Sequence, residues 1–334
     1  MEVVVSYDNP RNVDEWNALC KECGNFVQTT MYSEISAFYG GQSIYVQIYD
    51  ADILVGGVNL RYSQGRRLPM LSRRLGQFGE IVVAAGRDNM AIVERINSAV
   101  EDLIRKLKPC VFTVNSFYGP KTLLCGVDKY KCSVVDYGLA YLDLEKSEEE
   151  LFKNIDRNHR RSIRKAEDAN LEFLVSHNPQ YVIDMLNETY SSQDKTGPNP
   201  KYVESSIKIG EKYGVSFIGV TKQGDEVLSA NEALLYGGVS YLTIGGNKKN
   251  NCGAGAFEHW YVIKMLKELG CKKFTFGQVA VNNNIRDAHF TNGITDFKMK
   301  FGCYVVEACK KEYIIKPFYN WIWNMLCKIF FKKK

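Results

Sequence analysis

Hydrophobic and polar positions along the chain follow two periods, one typical of strands and one typical of helices. Residues 239–244 alternate like a half-buried strand, and a glycine-rich loop over 245–255 follows them. Apolar residues then recur every three to four positions over 256–269, which predicts a helix, and a short strand over 273–276 comes next. Strands interleaved with a helix in this order predict an α/β unit.

The same order of elements occurs in the first half of the chain. Residues 44–58 and 217–230 each predict two strands joined by a polar turn. A helix and then a short strand follow in both halves, the first helix covering 89–107. Because the order recurs at a long period, we expect two tandem copies of one supersecondary unit, each with a mixed sheet flanked by helices.

The boundary between the copies is predicted after residue 145. A strand ends there, and Ser147 with Glu150 fits the capping box of a new helix. The expected domains are therefore residues 1–145 and 146–311, with 312–334 as an amphipathic C-terminal tail.

Composition narrows the class of protein only slightly. The chain has 334 residues, of which 45% are hydrophobic, and this is enough for two cores. Its net charge of +5 is small for this length, so only local basic patches favour a polyanionic partner. Ten cysteines are scattered and the N terminus has no apolar signal segment, so we expect a cytoplasmic protein with reduced thiols. Cys20 and Cys23 form a lone C-x-x-C, which packing in a helix from Val13 explains, and we predict no metal.

The glycine-rich loop is the first candidate site. Glycines let backbone N–H groups approach an anion, and the N terminus of the next helix points at it. The loop predicts phosphate or pyrophosphate binding, and a glycine-rich turn with surface lysines is the alternative. The candidate cofactor-binding residues are Lys248, Asn250, Gly253, Ala254 and Gly255.

A basic helix over residues 151–166 is the second candidate site. Its arginines lie at helical spacing on one face, where planar guanidinium groups can bind phosphate oxygens. The alternative is a solvated face balanced by nearby acids, but those acids cluster at the ends, so phosphate or nucleic-acid contact is favoured. The residues concerned are Arg157, Arg160, Arg161 and Arg164.

Two further basic segments have open interpretations. Residues 66–76 are punctuated by Pro69 and Gly76, and we expect a solvated loop rather than a substrate contact. The tail over 313–334 is aromatic and basic, with Pro317 near its start. It predicts either an interfacial helix on an anionic membrane, with Lys332–Lys334 at the headgroups, or a helix packed on the body.

Several motifs together resemble a known family. Gly253 and Gly255 match the pyrophosphate loop of GNAT acyltransferases, although Asn250 stands where that family prefers Arg or Gln. The run Arg-Arg-x-Ile-Arg-Lys-Ala over 160–166, followed later by Phe-Lys-x-Lys-Phe-Gly over 297–302, is similar to the Fem-type tandem GNAT transferases and their FemAB-like relatives of exopolysaccharide clusters.

The resemblance implies transfer of an acyl or aminoacyl group by direct attack of an amine. The implied donor is an acyl-CoA or an aminoacyl-tRNA whose phosphates meet the arginines. The acceptor would be a peptidoglycan or surface-polysaccharide precursor, lipid-linked or UDP-linked, in a cleft between or beside the domains. An enzyme with such an acceptor would act at the inner face of the cytoplasmic membrane.

The resemblance also suggests candidate catalytic residues. Phe297 and Lys298 would lie in the cleft, where the lysine binds phosphate or stabilises developing negative charge. Tyr241 is a candidate hydrogen-bond donor, and Asp296 and Glu232 are candidate bases. The alternative from another class is a non-catalytic nucleic-acid- or membrane-binding module on a degenerate GNAT fold, which would not need Lys298.

Overall fold

A computed structural model describes residues 1–249, 252–281 and 292–331, with the backbone alone at residues 292, 330 and 331. The chain forms two compact units. Unit 1 comprises Met1–Tyr137 and Glu307–Lys334, and unit 2 comprises Gly138–Val306. The division lies a few residues before the predicted boundary at 145, and the segment after Glu307 belongs to unit 1.

The elements alternate as the periodicity predicts, and the α/β class with mixed strand directions is confirmed. Up to residue 143 they are β1 (Glu2–Tyr7), α1 (Val13–Glu22), α2 (Thr30–Ala37), β2 (Gln42–Asp50), β3 (Ile53–Ser63), α3 (Pro69–Ser72), β4 (Arg74–Phe78), β5 (Val82–Val83), α4 (Asn89–Leu107), β6 (Val111–Asn115) and β7 (Lys131–Asp143). Then follow α5 (Glu148–Asn154), α6 (Arg157–Asp168), β8 (Glu172–Ser176), α7 (Pro179–Ser191), α8 (Pro200–Lys212), β9 (Ser216–Gln223), β10 (Glu226–Tyr236), β11 (Val239–Asn247), α9 (Ala254–Glu268), β12 (Lys273–Val279), α10 (Asn292–Met299), β13 (Tyr304–Ile314) and α11 (Pro317–Phe331).

In unit 1, β1 to β4 pair in antiparallel order, β4 runs parallel to β6, and β6 pairs antiparallel with β13. Helix α4 covers this sheet with Ile92, Ile96 and Val100 in the core. Helix α1 begins at Val13 as predicted, and it buries Cys20 while Cys23 stays exposed.

In unit 2, β8 to β11 pair in antiparallel order, β11 runs parallel to β12, and β12 pairs antiparallel with β7. Helices cover both faces of this sheet. Ile218 belongs to the core with α7 and α8, whereas a Cβ on its neighbour Gly219 would meet Val262 and Glu258 of α9. Because successive residues of a strand point to opposite faces, α9 lies across the sheet from α7 and α8.

The predicted continuous helix over 151–166 is wrong. Helix α5 ends at Asn154, Ile155 is extended, and Asp156 caps α6 by accepting a hydrogen bond from the Asn158 N–H at 2.8 Å. The Asp156 N–H in turn donates to the Lys300 carbonyl at 2.8 Å, so the break ties α6 to the chain after α10. The predicted capping box of Ser147 and Glu150 is confirmed.

The parallel pair β11–β12 opens after three residues. The last paired positions are Tyr241 and Thr275. Each strand then carries one extra residue relative to its antiparallel neighbour: Thr243 bulges from β11 against β10, and Phe276 bulges from β12 against β7. Because a β-bulge bends its strand and breaks the ladder, the two strands part here. We call the gap beyond Tyr241 and Thr275 the β11–β12 wedge.

Thr275 and Gly277 hold the bulge of β12 in place. The Thr275 hydroxyl accepts a hydrogen bond from the Gly277 N–H at 3.0 Å and donates to the Ala140 carbonyl at 3.1 Å. Gly277 has φ +78°, in the left-handed region that favours glycine. The threonine at the strand end therefore satisfies the backbone N–H that the bulge displaces from the ladder.

Unit 1 contains the equivalent parallel pair without an opening. All five residues of β4 pair with β6, from Arg74 opposite Val111 to Phe78 opposite Asn115. The wedge is therefore a property of unit 2.

Replacing Thr275 by valine tests the support of the bulge. Valine keeps the shape but leaves the buried Gly277 N–H without its acceptor, so we expect the free energy of unfolding to fall by about 1–3 kcal/mol. Thr221→Val is the matched control, because the buried Thr221 hydroxyl has no hydrogen-bond partner among the described residues, and its loss should leave stability unchanged or higher. Urea unfolding measures both. Equal losses would show that the Thr275 hydroxyl does not support the bulge.

Candidate active site

Lys298 lies against the parted segment of β12. Its Nζ donates a hydrogen bond to the Gln278 carbonyl at 2.9 Å, and Gln278 belongs to the part of β12 from which β11 has separated. The Cys303 thiol donates to the Lys298 carbonyl at 3.4 Å, which fixes the end of α10. The helix and this backbone contact together hold the amine at the parted segment of β12.

Burial changes the acid strength of this amine. The low-dielectric surroundings disfavour the ammonium form and lower the pKa of Lys298 to about 8. The same burial raises the pKa of Cys303 to about 12, so its thiol stays neutral. Near pH 8, Lys298 is therefore present both as the ammonium ion and as the neutral amine.

Two histidines meet on the ring of Phe297. Nε2–H of His159 donates to the Phe297 carbonyl at 3.1 Å, and the ring centroids of His159 and His259 lie 4.8 and 5.4 Å from that of Phe297. His259 stacks on the bulged Phe276 at 5.5 Å. Burial lowers the pKa of His159, which favours its neutral form.

His259 also joins this cluster to the start of α9. Its Nδ1 lies 2.8 Å from the Gly255 carbonyl and 2.7 Å from Oε2 of Glu258, so it carries a proton between two acceptors. Glu258 is fully buried and its Oε2 also accepts from Asn231 at 2.9 Å. His159, His259 and Glu258 were not singled out from the sequence. For His159, the available sequence signal was its helical spacing between Ile155 and Ile163, which places it on the apolar face of the helix.

The glycines of the predicted phosphate loop have packing roles. Gly253 has φ +87°, and a Cβ there would lie 2.4 Å from the Ser162 carbonyl oxygen of α6. A Cβ on Gly255 would lie 3.2 Å from the Asn247 side chain, and Ala254 is fully buried. These small residues let the first turn of α9 pack on α6 and β11. Asn250 lies outside the described residues.

The predicted start of the loop is wrong, because β11 continues to Asn247. Gly245 pairs with Asn231, and a Cβ there would lie 2.0 Å from Oδ1 of Asn231. A Cβ on Gly246 would lie 2.4 Å from the Met185 carbonyl. These two glycines serve close packing within the sheet and against α7. The neighbouring Lys248 forms a surface ion pair with Glu226, which raises the pKa of Lys248.

The arginines of α6 share one face, as the helical spacing predicts. Arg157, Arg161 and Arg164 are exposed, and no ion pair involves them within the described part of the chain. Arg160 is half-buried and donates to the Lys153 carbonyl at 2.8 Å. The opposite face of α6 is buried against α9 and the Phe297 ring. These three arginines thus lie on the solvent-facing side of α6, and the guanidinium of Arg164 lies 5.8 Å from the Phe152 ring.

The other candidate catalytic residues lie in different surroundings. Tyr241 is buried at the last paired position of β11. Glu232 is buried on β10 and accepts a hydrogen bond from Thr243, the bulge residue of β11, and burial raises the pKa of Glu232. Asp296 is exposed on α10, one turn before Lys300. The structure brings Phe297 and the start of α9 together around the two histidines. Lys298 instead bonds the parted part of β12, and the Thr243 hydroxyl joins Glu232 to the bulge of β11.

Over residues 1–249, 252–281 and 292–331, no group of three or more His, Cys, Asp or Glu side chains is arranged to hold a metal ion.

Comparison with known proteins identifies the fold. No protein-family model matches the chain, and no curated protein matches its sequence. Among solved structures, FemX superposes with a TM-score of 0.72 at 14% identity, over 96% of this chain and 100% of FemX. A tandem GNAT protein of the clavulanic acid biosynthesis pathway superposes with a TM-score of 0.57 at 9% identity, over 94% of this chain and 99% of that one. The chain has a Fem-like tandem GNAT fold.

A third solved structure with this fold is the C-terminal domain of a proposed lysylphosphatidylglycerol synthetase from Agrobacterium fabrum. It superposes with a TM-score of 0.58 at 12% identity, over 95% of this chain and 96% of that domain. The Fem-like tandem GNAT architecture expected from the Phe-Lys and Arg-Arg motifs is confirmed by these superpositions.

The pKa of Lys298 can be measured directly. Its amine should become reactive toward acetic anhydride with a midpoint at pH about 8, because burial favours the neutral form. Lys248 provides an internal control in the same sample, since its ion pair with Glu226 shifts the pKa in the opposite direction. Competitive labelling followed by mass spectrometry over a pH series gives both midpoints. A midpoint for Lys298 equal to or above that of Lys248 would contradict the shift.

Proposed function

We propose that this chain is an N-acyltransferase that transfers an acyl or aminoacyl group to an amine of a cell-envelope precursor by direct attack. The observation that carries the proposal is the β11–β12 wedge of unit 2, with Lys298 bonded to the parted strand. The Fem-like tandem GNAT fold favours acyl transfer over other classes of reaction.

Beyond Tyr241, β11 no longer pairs with β12, and we infer that an extended donor binds along this edge. Alternate N–H and C=O groups of a strand point to opposite edges, so the segment after Tyr241 directs half of them toward the side that β12 has left. An amide-containing donor arm can pair with such an edge as an added strand. A backbone N–H there can then polarise the carbonyl of the donor and stabilise the oxyanion that forms on attack.

Lys298 is proposed to stabilise that negative charge in its ammonium form. The acceptor amine attacks the donor carbonyl, the C–N bond forms, and the thiol or tRNA hydroxyl leaves. A base must take the proton of the attacking amine. Glu232 is the first candidate, and it would act through the hydroxyl of Thr243, the bulge residue of β11 beside the wedge. Asp296 remains the second candidate.

Substitution of Lys298 tests this role. Lys298→Met removes the charge at similar size and should lower kcat by about 10²–10³-fold, the usual cost of losing one oxyanion donor. Lys298→Arg keeps a cation, so it should retain more activity. The wild-type rate should decline above pH about 8 as the ammonium is lost, and that decline should be absent in the arginine variant.

Lys300→Met is the matched control, because Lys300 contributes a backbone carbonyl to Asp156 and its side chain has no proposed part in the reaction. It should keep the wild-type pH profile. Unchanged kcat in Lys298→Met, measured with any donor that the protein binds, would contradict the catalytic role of Lys298.

The two candidate donors would bind at different places on unit 2. An acyl-CoA would place its pyrophosphate at the N terminus of α9, which the glycine-assisted packing on α6 holds in place. An aminoacyl-tRNA would place backbone phosphates on the exposed Arg157, Arg161 and Arg164, which take part in no ion pair among the described residues. The arginine face is the observation that supports the aminoacyl-tRNA route.

Calorimetric titration with coenzyme A, acetyl-CoA and deacylated tRNA at several salt concentrations separates the donors. If tRNA binds on α6, Arg161→Gln should weaken binding and reduce the log–log salt slope by about 1. Lys201→Gln, an exposed basic position on α8, should change neither. Saturable CoA binding with no response to tRNA would assign an acyl-CoA donor. Gly253 is unsuitable for this test, since any Cβ there meets the backbone of α6.

The acceptor class rests on the Fem resemblance and on a structural neighbour named as a lysylphosphatidylglycerol synthetase. We propose an amine on a peptidoglycan or surface-polysaccharide precursor, lipid-linked or UDP-linked. Incubation of the protein with a charged donor and each precursor class, followed by mass spectrometry of the product, identifies the acceptor.

A further inference from the structure

Helix α11 exposes a continuous apolar stripe. Its members recur at i, i+3, i+7 and i+11, which places them on one face of the helix. Large hydrophobic side chains of this size are seldom left in water in such a row. The stripe consists of Phe318, Trp321, Met325 and Ile329, which are 66%, 58%, 42% and 60% exposed.

The orientation of α11 is fixed by contacts on its other side. Nη2 of Arg74 donates to Oδ1 of Asn320 at 3.3 Å, and the same guanidinium lies 5.8 Å from the ring of Trp323. The Lys316 N–H donates to the Cys110 carbonyl at 3.1 Å, just before the helix begins. Because these contacts hold one side of α11 on unit 1, the apolar stripe faces away from it.

A second segment adds to this surface. Helix α3 packs on α11, and both are anchored at Cys110, whose thiol donates to the Met70 carbonyl at 3.2 Å. The side chains of Leu68 and Met70 are exposed. These two segments, distant in sequence, thus present apolar side chains in one part of unit 1. We call Leu68, Met70 and the α11 stripe the α3–α11 surface.

The charged side chains of the two segments that form the α3–α11 surface have one sign. Arg66 and Arg67 are exposed directly before α3, and Lys328 is exposed beside the stripe. Neither residues 64–74 nor residues 317–331 contain an aspartate or a glutamate. Apolar and aromatic side chains with basic residues around them match a lipid surface with anionic headgroups.

We propose that the α3–α11 surface docks unit 1 on an anionic lipid bilayer. The apolar side chains would enter the boundary between headgroups and acyl chains, and Arg66, Arg67 and Lys328 would contact lipid phosphates. A second copy of this chain fits less well, because a symmetric contact would bring two sets of basic residues together and neither segment contributes an acid. In the described part of the chain, no helix combines the length and hydrophobicity needed to cross a membrane.

Docking would also orient a cavity of unit 1. Arg66 borders a cavity of about 650 Å³ that is lined by the aromatic rings of Phe38, Tyr39 and Tyr62. A bilayer contact at Arg66 would hold this cavity next to the headgroups, where a lipid-linked acceptor would present its polar part. This last step rests on the proposed function, whereas the docking itself does not.

Vesicle binding tests the docking without any substrate. We expect the full chain to sediment with vesicles of phosphatidylcholine mixed with phosphatidylglycerol, and to bind vesicles of phosphatidylcholine alone much more weakly. Trp16 and Trp260 are buried, so a lipid-induced blue shift of tryptophan fluorescence reports on Trp321 and Trp323. Failure of the wild-type chain to bind anionic vesicles would overturn the proposal even if acyl transfer is observed.

Two sets of variants locate the contact. The double variant Phe318→Ser/Trp321→Ser should lower the partition coefficient by at least about tenfold, whereas Met90→Ser, at a position 74% exposed on α4, should leave it unchanged. Arg66→Gln and Arg67→Gln should each weaken binding to anionic vesicles by about fivefold. Lys201→Gln should have no such effect.

The remaining outcomes contradict the proposal. Equal losses in the stripe variants and in Met90→Ser would show that binding does not use the α3–α11 surface. Light scattering of the lipid-free protein checks the alternative occupant. A dimer that becomes monomeric in Phe318→Ser/Trp321→Ser, together with absence of vesicle binding, would assign the surface to a second copy of the chain.

Discussion

Backbone hydrogen bonding at the end of the β11–β12 pair is the constraint on which the site depends. A β-bulge bends its strand and breaks the ladder, and here Thr243 of β11 and Phe276 of β12 bulge beyond the last pair. Beyond Tyr241 and Thr275 the two strands no longer pair, and Lys298 donates to the Gln278 carbonyl in the parted part of β12. The parting also turns Phe276 onto His259, so the bulge that opens the sheet contributes to the packing beside it.

The first turn of α9 is held by close packing on both sides. A glycine with positive φ lets it approach the backbone of α6, and a second glycine lets it approach Asn247. His259, one turn further on, bonds the Gly255 carbonyl and packs on Phe297. Helices α6, α9 and α10 therefore share one cluster of rings, and a displacement of one of them would disturb the other two. Such mutual support keeps functional side chains in place.

The two units share one strand arrangement and differ at its parallel pair. In unit 1 the parallel pair is closed along the whole of β4, which leaves no strand edge there for a donor. Unit 1 instead has the aromatic-lined cavity at Arg66 and the α3–α11 surface. The repeat recognised in the sequence is thus a repeat of elements, and the chemistry proposed for unit 2 depends on the two bulges that its pair carries.

The sequence by itself determined the order of helices and strands, the duplication, the capping box at Ser147 and the shared face of the α6 arginines, because these follow from local periodicity and capping. It also carried the motifs of the Fem-like fold. Tertiary structure decided that Gly245 and Gly246 belong to a strand, that Lys298 is buried enough to titrate near neutral pH, and that His159 and His259 meet on one ring. These features depend on burial and on contacts between residues far apart in the chain, and no local pattern of side chains encodes either.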